Sequence, residues 1–143
     1  MILYLDTSAL VKIYVDEPGR AAVMREIDAA TTVATVRIAY AETRAAFARK
    51  RRERGLDTRG LRRIVENLDE DWATFGVVDV TEPLVRRAGG LAERHGLRGY
   101  DAIHLAAAIA LERGGAEVSF GCFDEHLRRA ARRAKLRAPT MTA

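Results

Sequence analysis

Asp6, Glu42, Asp101 and Asp124 lie far apart in the chain, yet each occupies the same kind of place. Asp6 directly follows the short apolar run Ile2-Leu3-Tyr4-Leu5, and Asp124 comes a few residues after a second apolar run around Val118. Glu42 is near the start of a long alanine-rich stretch, and Asp101 is at the start of an apolar one. If the runs are strands and the stretches are helices, all four acids stand where strand ends meet helix starts. In a parallel sheet the functional crevice lies there, beyond the carboxyl ends of the strands. Pooled carboxylates repel one another, and some hold a proton unless a cation joins them. Mg²⁺ or Mn²⁺ suits such a set, because hard cations take oxygen ligands and keep several waters. Water activated on such an ion can attack a phosphodiester, with a second ion aiding the leaving group. Taken singly, each acid also reads as a plain helix cap or dipole partner.

The elements that must position these acids alternate between short strands and helices. The run at 2–5 predicts a buried strand, followed by a helix over about 8–14 that Asp16-Glu17-Pro18-Gly19 stops. A helix over about 20–29, a strand over 32–35 and a helix over 36–54 come next, with Gly55 as C-cap. A helix over 58–75 carries Leu61, Ile64, Val65, Leu68 and Trp72 at helical spacing, and Trp72 and Phe75 read as core. The period resets to a strand over 76–80, and Thr81-Glu82-Pro83 opens a helix that ends near His95-Gly96. A helix over 100–113 is apolar on almost every side and should be buried. A strand over 117–120, a basic helix over 124–134 and a short edge strand over 136–138 complete the chain. This order predicts one α/β domain over 1–143, an α/β/α sandwich with a short parallel sheet covered on both faces.

A net charge of +4 makes a polyanionic partner physically reasonable, and Lys12, Lys50 and Lys135 are the only lysines. Arginine's planar fork suits bidentate contact with phosphate or carboxylate. The densest basic stretch is Arg49-Lys50-Arg51-Arg52, with Arg44, Arg54, Arg59, Arg62 and Arg63 around it. It reads as an RNA-backbone track, as a docking face for an acidic protein tail, or as a solvated helix face. A second basic stretch, 128–137, leaves the same choice open. Cys122 is the only cysteine, so no disulfide can form within the chain, in keeping with a reducing compartment. The N-terminus lacks a secretory pattern, and the longest nearly uncharged run, 102–111, is too short for a membrane span. The chain is therefore expected in the cytoplasm, away from membranes.

The stretches Tyr4-Leu5-Asp6-Thr7-Ser8-Ala9-Leu10, Tyr40-Ala41-Glu42-Thr43-Arg44, Tyr100-Asp101-Ala102-Ile103-His104-Leu105-Ala106-Ala107-Ala108 and Phe123-Asp124-Glu125-His126-Leu127 resemble, in order, the four acidic motifs of PIN domains. The resemblance runs from Ile2 to about Leu136 and is greatest to single-domain toxins of the VapC type. It implies a Mg²⁺- or Mn²⁺-dependent endoribonuclease, the toxin of a toxin–antitoxin pair, held inactive by a cognate antitoxin. It further implies that Asp6 and Asp101 are the principal metal ligands, and that Glu42 ligates directly or through water. Asp124 would serve a second ion or orient water, and Ser8 would support the site with its hydroxyl, although it also reads as a plain cap. The family pattern implies a homodimer whose middle helices clasp the antitoxin. Cys122 stands where many members carry Ser or Thr, two residues before the last acid.

His104, three residues after Asp101, reads first as a packed, hydrogen-bonded core histidine and second as a nitrogen ligand or base. Cys122 has no partner at zinc-ligand spacing and reads as a small buried hydrophobe. Two rival functions remain at this point. An aspartyl phosphatase would want a second acid two residues after Asp6, where Ser8 stands, and a phospho-receiver would want a lysine better placed than Lys135. A PIN-like module that binds RNA or protein without turnover is the other.

Overall fold

A computed structural model describes residues 1–143 apart from the side chain of Arg54. Its strands are β1 (Ile2–Leu5), β2 (Thr32–Val36), β3 (Gly76–Val78) and β4 (Val118–Gly121). Its helices are α1 (Thr7–Tyr14), α2 (Arg20–Asp28), α3 (Ala39–Arg54), α4 (Thr58–Trp72), α5 (Glu82–His95), α6 (Gly99–Arg113) and α7 (Glu125–Arg133). The sheet order is β3-β2-β1-β4 and every pairing is parallel. Leu3, Tyr4 and Leu5 are fully buried, as a strand covered on both faces requires.

The chain steps outward from β1 to β2 to β3, then returns past them to place β4 on the other side of β1. Right-handed crossovers put the helices of the outward steps on one face and those of the return on the other. Between β1 and β4 the direction of winding reverses, and such a switch point opens a crevice at the carboxyl ends of the strands. The register Leu5↔Gly121 brings those two strand ends level. The main core fills the space around the sheet with Leu10, Val23, Leu105, Phe120 and Leu127, and a smaller cluster of Val11, Phe47, Ile64 and Leu68 joins α1, α3 and α4.

The predicted fold class holds, with shifts at several element ends. Val36 belongs to β2, not to the following helix, because this buried β-branched residue pairs with Val78. β3 is shorter than expected and stops at Val78. The predicted edge strand over 136–138 is reduced to a single parallel bridge, Ser119↔Arg137. Gly55 closes α3 in the left-handed conformation, at φ 78°. Buried Ala102, His104 and the run Leu105-Ala106-Ala107-Ala108 bear out the reading of α6 as a core helix, while Tyr100 at its start is 63% exposed. Trp72 and Phe75 pack against the core while remaining partly exposed. Among the described residues, no helix is long and apolar enough to cross a membrane.

Candidate active site

Asp6 follows the last residue of β1 and is also the N-cap of α1. Its Oδ1 accepts the Ala9 N–H at 3.0 Å, so Asp6 and not Ser8 is the helix cap, and it also accepts the Ser8 hydroxyl at 2.9 Å. The residue is only 5% exposed. Burial pushes its carboxyl above the usual range; the His104 ring, the Ala9 N–H and Ser8 pull it back, and the charge of Asp101 pushes it up again.

Glu42 lies in the first turn of α3, where the helix dipole favours an acid. Its Oε1 accepts the Thr7 hydroxyl at 2.7 Å and stands 3.2 Å from His104 Nε2. Burial alone would raise the Glu42 carboxyl, but the hydrogen bonds from His104 and Thr7 outweigh it and hold the group below its ordinary value. His104 is buried and hydrogen-bonded, as read from the sequence, and also contacts Tyr4 Oη at 2.8 Å and Thr7 Oγ1 at 3.2 Å.

Asp101 is in the first turn of α6, and its Oδ2 is 3.4 Å from Arg98 Nε. Asp124 caps α7, accepting the Leu127 N–H at 2.8 Å. Cys122, at the position where a Ser or Thr is the commoner residue, donates its thiol to the Asp124 backbone oxygen at 3.5 Å instead of reaching the carboxylate. Burial raises the thiol's pKa, and the charges of Asp6 and Asp124 add to that effect.

The four acids thus face one edge of the sheet. Asp6, Glu42 and Asp101 are linked through His104 and through the field of Asp101 on Asp6. Asp124 is brought level by the pairing of β4 with β1. Among the described residues, however, no three His, Cys, Asp or Glu side chains stand close enough to share one ion. Each carboxylate is held by a neighbour: Asp6 by Ser8, Glu42 by Thr7, Asp101 by Arg98, Asp124 by its own helix. The donor set nevertheless fits a hard divalent cation. It is all carboxylate oxygen, and Asp6 is buried with a second acid acting on it and only neutral donors bonded to it.

A groove of about 710 Å³ opens beside Glu42 and is lined by Thr7, Ser8, Arg49, Arg52 and Arg98 among others. The dense basic stretch is therefore partly a wall of the site. Lys50 is drawn off to Glu17 at 2.6 Å, and Arg44 is bonded to Tyr40. The second basic stretch has structural duties: Arg128 is buried, Arg132 donates to the Ala138 carbonyl, and Arg137 bonds Ser119 and pairs with Glu26.

Tyr4, Thr7 and His104 are the neighbours of the acids that the sequence did not single out as a group. Tyr4 shares the strand face of Asp6 by the period of two, Thr7 adjoins it, and His104 is one helical turn from Asp101. Those spacings were the available signal, but only the hydrogen bonds made by His104 and Thr7 in the fold join them.

An α/β/α sandwich around a parallel sheet of order β3-β2-β1-β4 defines the class. The PIN domain family model matches residues 3–133, and the chain belongs to that family. Ribonuclease VapC45 of Mycobacterium tuberculosis is 36% identical over 110 residues, 77% of this chain and 76% of that one. Among solved structures, FitAcB from Neisseria gonorrhoeae superposes with a TM-score of 0.71 at 20% identity, covering 96% of each chain. A toxin–antitoxin complex from Klebsiella pneumoniae superposes with a TM-score of 0.62 at 16% identity, over 85% of this chain and 86% of that one. These two likenesses are of fold.

Proposed function

We propose that this protein is an endoribonuclease that hydrolyses RNA phosphodiester bonds with Mg²⁺ or Mn²⁺, and that it is the toxin of a pair neutralised by a cognate antitoxin. The carrying observation is the buried Asp6 carboxylate, acted on by Asp101 and bonded only to neutral donors, at the switch point of a PIN-family sheet. The kinship with a VapC ribonuclease supports the RNA substrate, and the fold it shares with a toxin–antitoxin complex supports the antitoxin. Residues 1–143 act as one domain in this reading. The protein works in the cytoplasm, as a homodimer, with α3 and α4 offering the face that the antitoxin clasps.

Asp6 and Asp101 are the principal ligands, Glu42 completes the set directly or through water, and Asp124 serves a second ion or orients water. A divalent cation bound there would supply Lewis acidity, making water nucleophilic and neutralising charge on the phosphate. Ser8 holds Asp6 in place through its hydroxyl. Arg49 and Arg52, on the groove wall, take backbone phosphates and steer the strand toward the acids without reading its sequence.

The test is cleavage of a labelled total-RNA pool by purified antitoxin-free protein, with Mg²⁺, with Mn²⁺ and with EDTA, beside Asp101→Asn prepared identically. Discrete fragments that need both metal and Asp101 are expected. A folded Asp101→Asn protein with undiminished cleavage sinks the assignment. Metal affinity without turnover on any RNA points instead to a binding module.

A further inference from the structure

We infer that Tyr4, His104 and Thr7 form a relay of positioning residues that grips Glu42 by one carboxylate oxygen and leaves the other for the site, an inference that rests on the nuclease reading above. Two of the three, Thr7 and His104, converge on Glu42 Oε1, and Tyr4 backs His104. Thr7 Oγ1 lies 2.7 Å from it and His104 Nε2 3.2 Å from it, and Thr7 Oγ1 and Nε2 are themselves 3.2 Å apart. No contact in this network reaches Oε2.

For a neutral imidazole the network has one self-consistent assignment of protons. The Glu42 carboxylate can only accept, so the proton on the imidazole edge facing it sits on Nε2. The Thr7 hydroxyl donates to Oε1 and offers a lone pair to the same Nε2–H. On the other edge, Nδ1 is the acceptor that the Tyr4 hydroxyl needs, at 2.8 Å. Every proton then has an acceptor, which a wholly buried tyrosine beside a 2% exposed histidine requires.

The ring is also held by aromatic packing. The Tyr4 ring meets His104 edge-on at 5.9 Å and stacks on Phe120 at 5.4 Å, tying the relay to the paired strands β1 and β4. Glu42, by contrast, is half-buried on a long helix, and its side chain would otherwise be free to choose among rotamers. Anchoring a ligand from behind in this way sets its orientation and basicity, and loss of such a partner costs about 10- to 100-fold in metal affinity. His104 on this account touches neither substrate nor ion. It acts through Glu42.

Two readouts test the relay. The first is the ¹⁵N spectrum of the His104 ring in the parent protein without metal, which should show a proton on Nε2 and none on Nδ1. The second is Mn²⁺ affinity by calorimetry for His104→Leu and His104→Gln, with folding checked by cooperative melting. Leucine fills the space and donates nothing; glutamine can bring an amide N–H to where Nε2 stands. Leucine should weaken Mn²⁺ binding by about 10-fold or more, and glutamine should restore most of it. If the core substitutions do not fold, Thr7→Val and Thr7→Ser give the same contrast at a half-buried position, with valine weakening and serine restoring. An Nδ1–H ring overturns the relay, as does Mn²⁺ affinity unchanged by leucine or valine, or lost equally in both members of a pair. A parent protein that binds no Mn²⁺ and cleaves no RNA overturns the nuclease reading instead.

Discussion

Lys12 Nζ stands 4.7 Å from the centre of the Phe123 ring and 3.2 Å from Glu17 Oε1, so a single lysine of α1 ties the α1–α2 turn to the residue before Asp124. The same ammonium donates to the Pro18 carbonyl at 2.8 Å. Gly19, next along that turn, has φ 98°, and a Cβ built there would lie 2.8 Å from Phe123 Cε1. The turn, α1 and the entry to α7 are thus fitted to one another around one aromatic ring.

Gly19→Ala should therefore destabilise the protein through both a left-handed backbone and a clash with the Phe123 ring. The expected cost is about 1–3 kcal/mol, read as a lower urea midpoint at constant slope. Phe123→Leu in the same chain should recover the part that comes from the clash and leave the backbone part. A midpoint unmoved by Gly19→Ala would mean that this turn is not fixed as described.

Glu17 gives the fold a pH dependence of known sign. Burial would raise its carboxyl, but Lys50 and Lys12 outweigh burial and hold it below its ordinary value. A depressed folded pKa contributes stability that is present above the unfolded value of about 4.3 and is lost as pH falls through the folded value. Glu17→Gln should therefore cost roughly 1–2 kcal/mol at pH 7, and the gap to the parent should close in acid. Urea unfolding of both proteins at neutral and acid pH reads this directly, and a gap that widened in acid would reverse the assignment.

The strands and buried helices were legible in the sequence because each carries its own period: Ile2-Leu3-Tyr4-Leu5 can only be buried, and α6 is apolar on nearly all sides. Element ends were less so, since Val36 is apolar enough for either neighbour and only its partner Val78 settles it. The acids could be placed at one sheet edge because strand ends of parallel strands share an edge. Their side-chain partners could not be read this way. Nothing local distinguishes a histidine that merely fills the core from His104, whose bonds to Tyr4 and Glu42 span separations of 100 and 62 residues. The basic stretch 128–137 failed to resolve for the same reason, because Arg137 is committed to Ser119 and Glu26 by tertiary contact alone.

Cys122 is fully buried, and its thiol is pushed upward by burial and by neighbouring acids. The thiolate is the reactive form, so a disulfide-exchange reagent at pH 8 should leave the native protein untouched and titrate one thiol per chain in denaturant. Rapid reaction in the native state would mean that the segment before Asp124 opens readily.

The groove makes a prediction about affinity rather than chemistry. Arg49 and Arg52 line it beside Glu42. Arg49→Ala with Arg52→Ala should weaken binding of single-stranded RNA with little sequence preference, and should flatten the dependence of log affinity on log salt by about 1.4. Changing Arg129, an exposed arginine on α7, should alter neither. Equal effects at the two places would show that net charge, not the groove, attracts the RNA.

Asp6→Asn separates the electrostatics of the site from its architecture. Asparagine caps a helix about as well as aspartate, so the Ala9 and Ser8 contacts have a substitute acceptor. The substitution removes a buried charge whose carboxyl is raised in the fold, and a raised acid destabilises the folded state above its folded pKa and ceases to do so as pH falls through it. Metal-free Asp6→Asn should therefore melt at or above the parent's temperature near pH 7, and the difference should shrink as the parent's carboxyl is protonated. Saturating Mn²⁺ should reverse the order. At about 100 times its dissociation constant the ion adds roughly 2.7 kcal/mol to the parent, on the order of 5–10 °C in melting temperature, and little to the variant. RNA cleavage should be lost in parallel. An equal Mn²⁺ shift in both proteins would take Asp6 out of the ligand set, and a metal-free variant that melts far below the parent would mean that this carboxylate serves the fold rather than an ion.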